Sequence, residues 1–486
     1  MTKHTILIYP DLAYSELQRP APPYSVLFIA NALQKAGIDV EVFDLRYDTI
    51  DEVVRSATTS TPGYIGLSVM TGPQIRNALE VAGALRQEVP DTKLVWGGIH
   101  PTILPHQTLH HPYVDLVIRG DGERAYTQLV QNVSLNRVQG LVFQRGNTVH
   151  SGGLAPPTDM ASVSVPWGLI DPRRYIIRGR TSALTSRGCP HRCAFCYNAV
   201  LRQPWRGWTA QQCQKELDQF IAMGAEDLLF FDDAFFTNKP RVRKLFPYFR
   251  REGLTWTAEL RVDQLTRALA RNAKQAGCQC LFFGAESGSP RMLQLLNKRI
   301  TVHQLIRSSQ IAKDEEIRAD YSWMIGIPTE TPKDRRATIS TIKAMHRINP
   351  TADFVIKIFT PYPGTPLFNL ALKEGAILPE TLTGWSTFSR YRALSYLRKK
   401  RQLETIALTS ALVGRRMIHS MRGPLRLVSS FAKFRWHYES FGLSFESLIF
   451  NIVSSFLERH RKRFLGATKG TTKSLLSPKS METFAR

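Results

Sequence analysis

The stretch "SRGCPHRCAFCYN", residues 186–198, places three of the six cysteines of the chain within eight positions. Cys189, Cys193 and Cys196 have the spacing C-x3-C-x2-C, and the glycine and proline beside them disfavour regular helix. Thiols this close together in one loop are typical of a metal site or a redox pair. We expect the other three cysteines, Cys213, Cys278 and Cys280, to be packing residues.

Three explanations fit the three clustered thiols. A closed structural zinc site needs four ligands, and His191 is the nearby candidate for the fourth, although its place on a tight loop is awkward. A disulfide pair with one free thiol is a second explanation. The third is a [4Fe–4S] cluster held by three cysteines, with one iron open to another ligand.

The size and composition of the chain indicate what kind of protein it is. With 486 residues, 43% of them hydrophobic, the chain is long enough for two or three domains with large cores. Its start, "MTKHTILIYPDLAYSE", lacks an apolar leader, and no apolar run reaches the roughly 18 residues of a membrane span. We therefore expect a cytoplasmic protein, in which clustered cysteines favour metal binding or catalysis over a disulfide scaffold.

Strand and helix patterns alternate in a first series near the start of the chain. It runs through "TILIYP", "SVLFIANALQKAG", "DVEVFDLR", "YIGLSVM", a helix from about Gln74 to Glu88, "KLVWGGIHP" and "VDLVIRGDGE". This alternation predicts βαβ units on a parallel sheet. Ligands of such sheets bind beyond the carboxyl ends of the strands, where this sequence has the loops "SVMTG", "GGIHP" and "GDGE".

A second series of six strands follows a hairpin-like stretch, "VQGLVFQRGNTVHS", and a linker rich in glycine, proline and serine, "GGLAPPTDMASVSVP". The six strands lie in "TSALTSRG", "DLLFFDDAFF", "LTWTAEL", "CQCLFFGAES", "RADYSWMIG" and "ADFVIKIFTPYPGT". Six successive βα units predict a barrel or partial barrel with its chemistry at the carboxyl ends of the strands. The cysteines directly follow the first of these strands, so they lie where the site of such an enzyme is expected.

The cysteine motif, with Phe195 before the last cysteine and Tyr197 after it, resembles the signature of the radical S-adenosylmethionine (SAM) enzymes. The resemblance implies a [4Fe–4S] cluster on Cys189, Cys193 and Cys196, whose open iron binds the amino and carboxylate groups of SAM. An electron from an external donor similar to flavodoxin or ferredoxin cleaves SAM to a 5′-deoxyadenosyl radical. That radical removes hydrogen from an unactivated carbon.

Later motifs of this family fall at the ends of the strands assigned above: "FFDDAFF", "ELRVD", "FGAESGS", "MIGIPTET" and "PYPGTP". A carboxylate suits the ammonium group of SAM through a charge-assisted hydrogen bond. Each motif alone has an ordinary alternative as a turn or helix cap, but their order together with the cysteine motif supports the resemblance. The SAM-binding residues that it implies are Phe195, Asp232, Asp233, Arg261, Glu286, Ser287 and Gly326.

Residues 1 to about 130 are similar to the cobalamin-binding, Rossmann-like domain that precedes the barrel in one branch of these enzymes. The matching pieces are "PPYSVLFIANALQKAG", "GLSVMTG", "VWGGIHPT" and "VDLVIRGDGE". A corrin needs a close backbone approach, which glycines permit, and polar groups can bond its amides. The cobalamin-binding residues that the resemblance implies are Ser68, Thr71, Gly97, Gly98, His100, Gly120, Gly122 and Glu123.

One departure from that domain concerns the cobalt ligand. Many cobalamin domains carry a D-x-H-x-x-G loop after the first strand, whereas this chain has "PDLAYSE", with Ala13 at the place of the histidine. Cobalt would then lack a lower histidine ligand. His100 is a substitute, although a loop histidine making ordinary hydrogen bonds is the simpler explanation. The departure also allows a domain that has lost cobalamin and serves as a scaffold.

The predicted fold class is α/β, in four regions. They are a cobalamin-binding Rossmann-like domain (1–140), a hairpin and linker (141–180), a partial (β/α)6 radical SAM barrel (181–385), and a basic, mainly helical region with a disordered tail (386–486). The net charge is +24, and from residue 386 onward basic residues outnumber acidic ones by 20 to 5. Basic amphipathic helices of this kind either lie on an anionic membrane at its inner face, which would suit a lipid-like substrate, or pack on the barrel.

The leading functional hypothesis is a cobalamin-dependent radical SAM methylase acting on a small, apolar or natural-product-like molecule. By resemblance, one SAM supplies the methyl group through cobalamin and another supplies the radical. The alternative is a cobalamin-binding radical SAM oxidoreductase or cyclase without methyl transfer. Charge alone suggests a nucleic-acid-modifying enzyme, but the sequence has no recognisable RNA-binding module, so nucleic acid is not the expected partner.

Overall fold

The computed structural model describes residues 4–12, 21–201, 203–388, 400–413, 425–439 and 441. The predictions for Ala13 and for the disordered tail fall outside these residues. The described residues form two compact units: one holds those of 1–254, 362–369 and 377–393, and the other holds those of 255–361, 370–376 and 394–486. Over this part of the chain, no helix combines the length and apolar character needed to cross a bilayer.

Seven strands at the start of the first unit form one sheet: β1 (His4–Tyr9), β2 (Asp39–Asp44), β3 (Tyr64–Ser68), β4 (Lys93–Gly97), β5 (Leu116–Ile118), β6 (Leu141–Arg145) and β7 (Thr148–Ser151). Their order is β2-β1-β3-β4-β5-β6-β7. The first five pair in parallel, as the sequence predicts, and β6 and β7 form an antiparallel hairpin. Because β6 also pairs with β5, the hairpin extends the sheet of the first domain.

Helices cover both faces of this sheet: α1 (Tyr24–Lys35), α2 (Ile50–Ser60), α3 (Gln74–Glu88), α4 (Ile99–Ile103), α5 (Pro105–Leu109) and α6 (Gly122–Val130). The limits of α3 are those predicted from the sequence. Apolar residues of α2 and α3 form the core on one face, and those of α1 and α6 form the core on the other. The chain leaves α1 through Gly37, whose φ of +69° is easily adopted only by glycine.

The first unit continues into the second series through β8 (Arg180–Ala183), β9 (Ser186–Arg187), α7 (Asn198–Leu201), β10 (Arg206–Gly207), α8 (Ala210–Ala222), β11 (Asp227–Phe230) and α9 (Lys239–Arg251). Strands β8 and β11 pair in parallel, and β9 and β10 form a short antiparallel ladder. The segment predicted as a linker before β8 is packed, since Ala155, Met160, Val163 and Val165 are buried.

The second unit holds the other four predicted strands: β12 (Thr255–Glu259), β13 (Cys278–Glu286), β14 (Arg318–Ile325) and β15 (Asp353–Ile358). They pair in parallel in chain order. Four helices alternate with them: α10 (Arg267–Gln275), α11 (Pro290–Leu295), α12 (Val302–Asp314) and α13 (Pro332–Ile348). All six strands predicted for the second series are therefore present.

The chain then forms α14 (Pro366–Lys373), α15 (Leu382–Ser386), α16 (Lys400–Val413) and α17 (Leu425–Tyr438). Within the first unit, Leu382, Trp385 and Phe388 complete the core on the α3 face of the first sheet. Short 3₁₀ turns occur at Leu135–Arg137, Met160–Ser162, Trp167–Leu169, Pro172–Tyr175, Phe235–Thr237 and Val262–Gln264.

Candidate active site

The three clustered cysteines lie in a loop, residues 188–205, that leaves and re-enters the β9/β10 ladder. In this ladder Arg187 faces Arg206, and we call residues 188–205 the cysteine loop. Gly188 opens the loop with a φ of +79°, and a Cβ at this position would collide with the carbonyl oxygen of Pro204. Only glycine fits where the two ends of the loop approach so closely.

None of the three cysteines of the cysteine loop forms a disulfide: Cys193 is buried, and Cys189 and Cys196 are half-buried. The amide of Cys196 donates a hydrogen bond to the carbonyl oxygen of Cys193 at 3.0 Å, so these two residues share one turn. Burial, together with the nearby Cys193, Asp233 and Cys189, raises the pKa of the Cys196 thiol to about 12. A metal that binds this thiol must therefore displace its proton.

The donor set of the loop fits an iron–sulfur cluster. Within the described ranges, no three His, Cys, Asp or Glu side chains converge as ligands of a single metal ion. A [4Fe–4S] cluster does not require this, because each cysteine thiolate binds a different iron atom. Three cysteine thiolates in one loop can hold three irons and leave the fourth for another ligand.

Asp232 and Asp233, which follow β11, have different environments. Asp232 is buried, and its carboxylate accepts hydrogen bonds from the Thr185 amide (2.7 Å), the Thr185 hydroxyl (2.6 Å) and the Ser186 hydroxyl (2.5 Å). Burial raises the pKa of Asp232. Its hydrogen bonds hold the connection between β8 and β9, so Asp232 stabilises the segment that leads into the cysteine loop.

Asp233 is exposed and contacts the cysteine loop at its first residue and near its middle. Its Oδ2 accepts a hydrogen bond from the Gly188 amide at 2.9 Å, and its Oδ1 accepts one from the Tyr197 hydroxyl at 2.7 Å. Burial, together with the charge of Asp233, raises the pKa of Tyr197, which stays a hydrogen-bond donor. Of the two predicted carboxylates, Asp233 is the one with solvent-facing surface for a ligand.

Two arginines at the base of the cysteine loop pair with carboxylates of the first domain. Arg187 Nη1 lies 2.6 Å from Glu123 Oε1, and Arg206 Nη2 lies 2.7 Å from Asp121 Oδ2. The side chains of all four residues are at least four-fifths buried. The other oxygen of Glu123 accepts a hydrogen bond from the Thr158 hydroxyl at 3.0 Å. Glu123, predicted to bind cobalamin, is thus occupied by this ion-pair group, which the sequence analysis did not identify.

Predicted cobalamin residues gather where β3 and β4 end. Ser68 ends β3 and Gly97 ends β4, and these residues are paired in the sheet register. The Thr71 hydroxyl lies 3.2 Å from Nδ1 of His100, whose ring is fully buried. Burial lowers the pKa of His100 to about 4, so the ring is neutral at pH 7. Among the described residues, its Nε2 has no hydrogen-bond partner.

The two predicted glycines at the end of β4, Gly97 and Gly98, have different surroundings. A Cβ on Gly97 would meet only the carbonyl oxygen of Ile118, at 3.9 Å, so Gly97 leaves open space that a corrin or its side chains could fill. Gly98 has a φ of +93°, and a Cβ there would lie 2.7 Å from both the amide nitrogen and the carbonyl oxygen of Val69. The backbone conformation and the contact with Val69 therefore require glycine at position 98.

Gly120 and Gly122 also have their space filled by the chain. Gly120 has a φ of +92°, and a Cβ there would lie 3.1 Å from the carbonyl oxygen of Ala155. A Cβ on Gly122 would lie 2.9 Å from the side chain of Ile29. These two glycines allow close packing where the chain enters α6. Ser68, Thr71 and Gly97 therefore fit the predicted cofactor best.

Of the other predicted SAM residues, Phe195 lies half-buried in the cysteine loop, and the second unit contains Arg261, Glu286, Ser287 and Gly326. Glu286 is buried with a φ of +64°, and it accepts a hydrogen bond from Lys298 Nζ at 2.9 Å. Arg261 binds Asp263 and also donates to the carbonyl oxygen of Lys298 at 2.8 Å. Lys298 was not identified from the sequence. Because it lies 12 residues after Glu286, no local sequence pattern predicts that the two side chains pair.

Two further predicted residues of this unit belong to hydrogen-bonded turns. The Ser287 hydroxyl lies 3.1 Å from that of Thr338. The amide of Gly326, at the end of β14, donates to Glu330 at 2.8 Å. Burial raises the pKa of Glu330 to about 7, although Arg335 lies 3.1 Å from its carboxylate.

Comparison with known proteins identifies two families in the sequence. The B12 binding domain family matches residues 12–130, and the Radical SAM superfamily matches residues 184–342. An uncharacterized methyltransferase of Pyrococcus horikoshii is 29% identical over 394 residues, which are 77% of this chain and 84% of that protein. An anaerobic magnesium-protoporphyrin IX monomethyl ester cyclase of Rubrivivax gelatinosus is 27% identical, over 71% of this chain and 66% of that protein.

A solved structure shares the fold. The cobalamin-dependent SAM radical enzyme OxsB, with aqua-cobalamin and SAM bound, superposes with a TM-score of 0.73 at 17% identity, over 99% of this chain and 78% of that one. These matches confirm the predicted α/β fold class, with an N-terminal cobalamin-binding domain followed by a radical SAM domain. They also confirm the three expected cofactors: a [4Fe–4S] cluster, SAM and cobalamin.

Proposed function

We propose that this chain, which belongs to the radical SAM enzymes that carry a B12-binding domain, methylates an unactivated carbon of a small, apolar molecule. The similarity to a methyltransferase over 77% of the chain supports methyl transfer as the reaction. Enzymes of this class act on small-molecule substrates and need an external electron donor, so we expect both for this chain.

The observation that carries the proposal is that the cysteine loop and the B12-binding domain lie in one compact unit. The ion pairs of Arg187 with Glu123 and of Arg206 with Asp121 join them directly. A reaction that combines radical formation with transfer of a methyl group needs both cofactor sites in a fixed relation, because misplacement by about 1 Å can cost 100-fold in rate.

Under this proposal the residues of the chain bind and orient the reacting groups. A cluster held by Cys189, Cys193 and Cys196 would supply the electron that cleaves SAM, and cobalamin held by the B12-binding domain would supply the methyl group. Asp233 keeps the loop closed through Gly188 and Tyr197, and its exposed carboxylate binds an ammonium group. Ser68 and Thr71 offer hydroxyls to the cobalamin amides. The other SAM contacts that we propose are Phe195, Arg261, Glu286, Ser287 and Gly326.

A second candidate function is a radical oxidoreductase or cyclase reaction without methyl transfer. The observation that favours it is the 27% identity to a magnesium-protoporphyrin cyclase over 71% of the chain. The two functions predict different products. A product heavier than its substrate by one CH2 group supports methylation, whereas an oxidised or ring-closed product supports the second candidate.

The experiment that distinguishes them is mass spectrometry of extracts from cells with and without the protein, followed by assays with SAM labelled with deuterium in its methyl group. Methylation predicts a product that carries the label. A product without the label, formed together with 5′-deoxyadenosine, would contradict the methyltransferase proposal.

We further propose that α17 contacts an anionic membrane surface and so gives access to a lipid-like substrate. On this helix Phe431, Phe434 and Tyr438 are 37%, 53% and 63% exposed and adjoin one another, and Lys433 is exposed beside them. Aromatic rings flanked by basic residues suit the headgroup region. Co-sedimentation with anionic but not neutral vesicles, weakened in Phe434→Ser, is expected; equal negligible binding to both would contradict the proposal.

A further inference from the structure

We propose that the solvent-facing side of α9 is the docking surface for an acidic, one-electron donor protein. Its residues Lys239, Arg243, Lys244 and Arg250, all exposed, form what we call the basic face. The proposal rests on the proposed function, since a reductant is needed only if the cysteine loop carries a redox cluster.

The sequence of α9, "KPRVRKLFPYFRR", contains six basic residues and no acidic residue. Its buried side is formed by Arg241, Val242, Leu245, Phe246, Tyr248 and Phe249. The helix is thus amphipathic, and the four basic residues of the basic face project into solvent. Such a uniform charge attracts an oppositely charged partner and accelerates its association.

The charge of the basic face is not compensated by carboxylates in the part of the chain that the structure describes. No carboxylate of the described residues forms an ion pair with any of its four residues, and Glu252 pairs instead with Arg251. On α10, in contrast, Arg267 and Arg271 have partners, Asp314 at 2.6 Å and Glu315 at 3.0 Å. Ordinary surface pairing therefore accounts for Arg267 and Arg271 of α10 but not for the four residues of the basic face.

The position of these charges is also unfavourable for the helix itself. Lys239 is the first residue of α9, directly after the N-cap Asn238, and the first turn has no acidic residue. The N-terminus of a helix carries partial positive charge, so basic residues there are destabilising. A local cost of this kind is expected where function, rather than stability, determines the residue.

The chain connects the basic face to the cysteine loop. Asp233, which binds Gly188 and Tyr197 of that loop, lies six residues before Lys239, a stretch that spans about 22 Å at most. The end of β11 and the start of α9 thus lie near the predicted cluster. A protein docked here would bring its redox group to the side of the molecule that needs the electron.

The chemistry of the face favours a protein over the other anionic partners. Single-stranded nucleic acid requires exposed aromatic rings for base stacking, but the aromatic residues of α9 are all buried. A membrane surface requires exposed apolar groups beside the charges, and the basic face has none. An acidic flavin or iron–sulfur protein needs only the positive charge.

The electron balance is simple. A flavin hydroquinone in the donor loses one electron and becomes the semiquinone. That electron passes through the cluster site to the SAM sulfonium, whose C–S bond breaks to give methionine and the 5′-deoxyadenosyl radical. No further oxidant or reductant is needed.

The test uses the full-length, reconstituted protein with two reductants: reduced flavodoxin, and dithionite, which needs no docking surface. The variant is Lys239→Glu/Arg243→Glu/Lys244→Glu, in which an acidic first turn should favour the helix. The matched control is Arg55→Glu/Arg137→Glu/Arg145→Glu, the same charge change at exposed residues of the first domain. The readouts are 5′-deoxyadenosine formation and the affinity for oxidised flavodoxin by calorimetry.

We expect the α9 variant to lose about tenfold or more in flavodoxin affinity and in flavodoxin-driven SAM cleavage, with dithionite-driven cleavage unchanged. In the wild type, flavodoxin-driven cleavage should fall steeply with salt. An unchanged flavodoxin response, an equal loss with both reductants, or an equal loss in the control would overturn the docking surface. Loss of RNA retention with an unchanged flavodoxin response would reassign the face to nucleic acid. Absence of dithionite-driven cleavage in the wild type would instead contradict the proposed function.

Discussion

Arg187 Nη1 lies 2.6 Å from Glu123 Oε1, with the two side chains 17% and 5% exposed. Arg187 stands two residues before Cys189, and Glu123 is the second residue of α6 in the B12-binding domain. The guanidinium also lies 4.4 Å from the centre of the Phe28 ring. This buried pair therefore fixes the start of the cysteine loop to the domain predicted to hold cobalamin.

We predict that Arg187 and Glu123 are energetically coupled. Arg187→Gln leaves a buried carboxylate without its main cation, which typically costs about 3–5 kcal/mol. Glu123→Gln leaves the buried guanidinium of Arg187 without its main carboxylate partner. The double variant should lose less stability than the sum of the single variants, as measured by denaturant unfolding of each chain. Strict additivity of the two losses would show that the pair contributes no coupling.

The two adjacent carboxylates after β11 should give different phenotypes. Asp232→Ala removes the acceptor of three buried hydrogen bonds and should lower the free energy of unfolding by about 3 kcal/mol. Asp233→Ala should change stability by less than about 1 kcal/mol but reduce iron retention, since Gly188 and Tyr197 lose their common acceptor. Denaturant unfolding and iron analysis of both variants measure this difference. The opposite assignment of effects would contradict the roles given to these residues.

Glu330 should make stability depend on pH. Because burial raises the pKa of its carboxyl from 4.5 to about 7, the folded state binds this proton more tightly than the unfolded state. The free energy of unfolding should then fall as the pH rises from about 4.5 to about 7, by up to about 3 kcal/mol. Glu330→Gln should remove this part of the dependence. If the free energy of unfolding changed with pH equally in the variant and the wild type over that range, the raised pKa of Glu330 would be refuted.

Substitutions at Gly97 and Gly98 should affect different properties, cobalamin binding at Gly97 and folding stability at Gly98. Gly97→Val places a side chain in open space beyond β4, so it should weaken cobalamin retention with little change in melting temperature. Gly98→Ala forces a Cβ against Val69 at a positive φ and should lower the melting temperature in the absence of cobalamin. Gel filtration with hydroxocobalamin and thermal unfolding measure the two effects. Normal retention by Gly97→Val would exclude that position from the cofactor site.

Most elements of the fold follow from the sequence, because alternating strand and helix periods identify parallel βα units. The ends of the predicted strands also place the cysteine loop and Asp233. The ion pair of Arg187 with Glu123 does not follow, since it joins residues 64 positions apart through side-chain packing. The return of Trp385 to the core of the first sheet is equally non-local. For the adjacent Asp232 and Asp233, the local backbone decides which carboxylate is buried, and no sequence pattern distinguishes them.

We propose that the cysteine loop holds a cluster that cleaves SAM. The measurement that tests this is the formation of 5′-deoxyadenosine by the anaerobically reconstituted, dithionite-reduced chain, compared with Cys193→Ala and with Cys280→Ala as the control at a buried cysteine outside the loop. We predict about four irons per chain and SAM cleavage in the wild type and the control, and neither in Cys193→Ala. Stoichiometric zinc without iron uptake, or cleavage that persists in Cys193→Ala, would contradict the account.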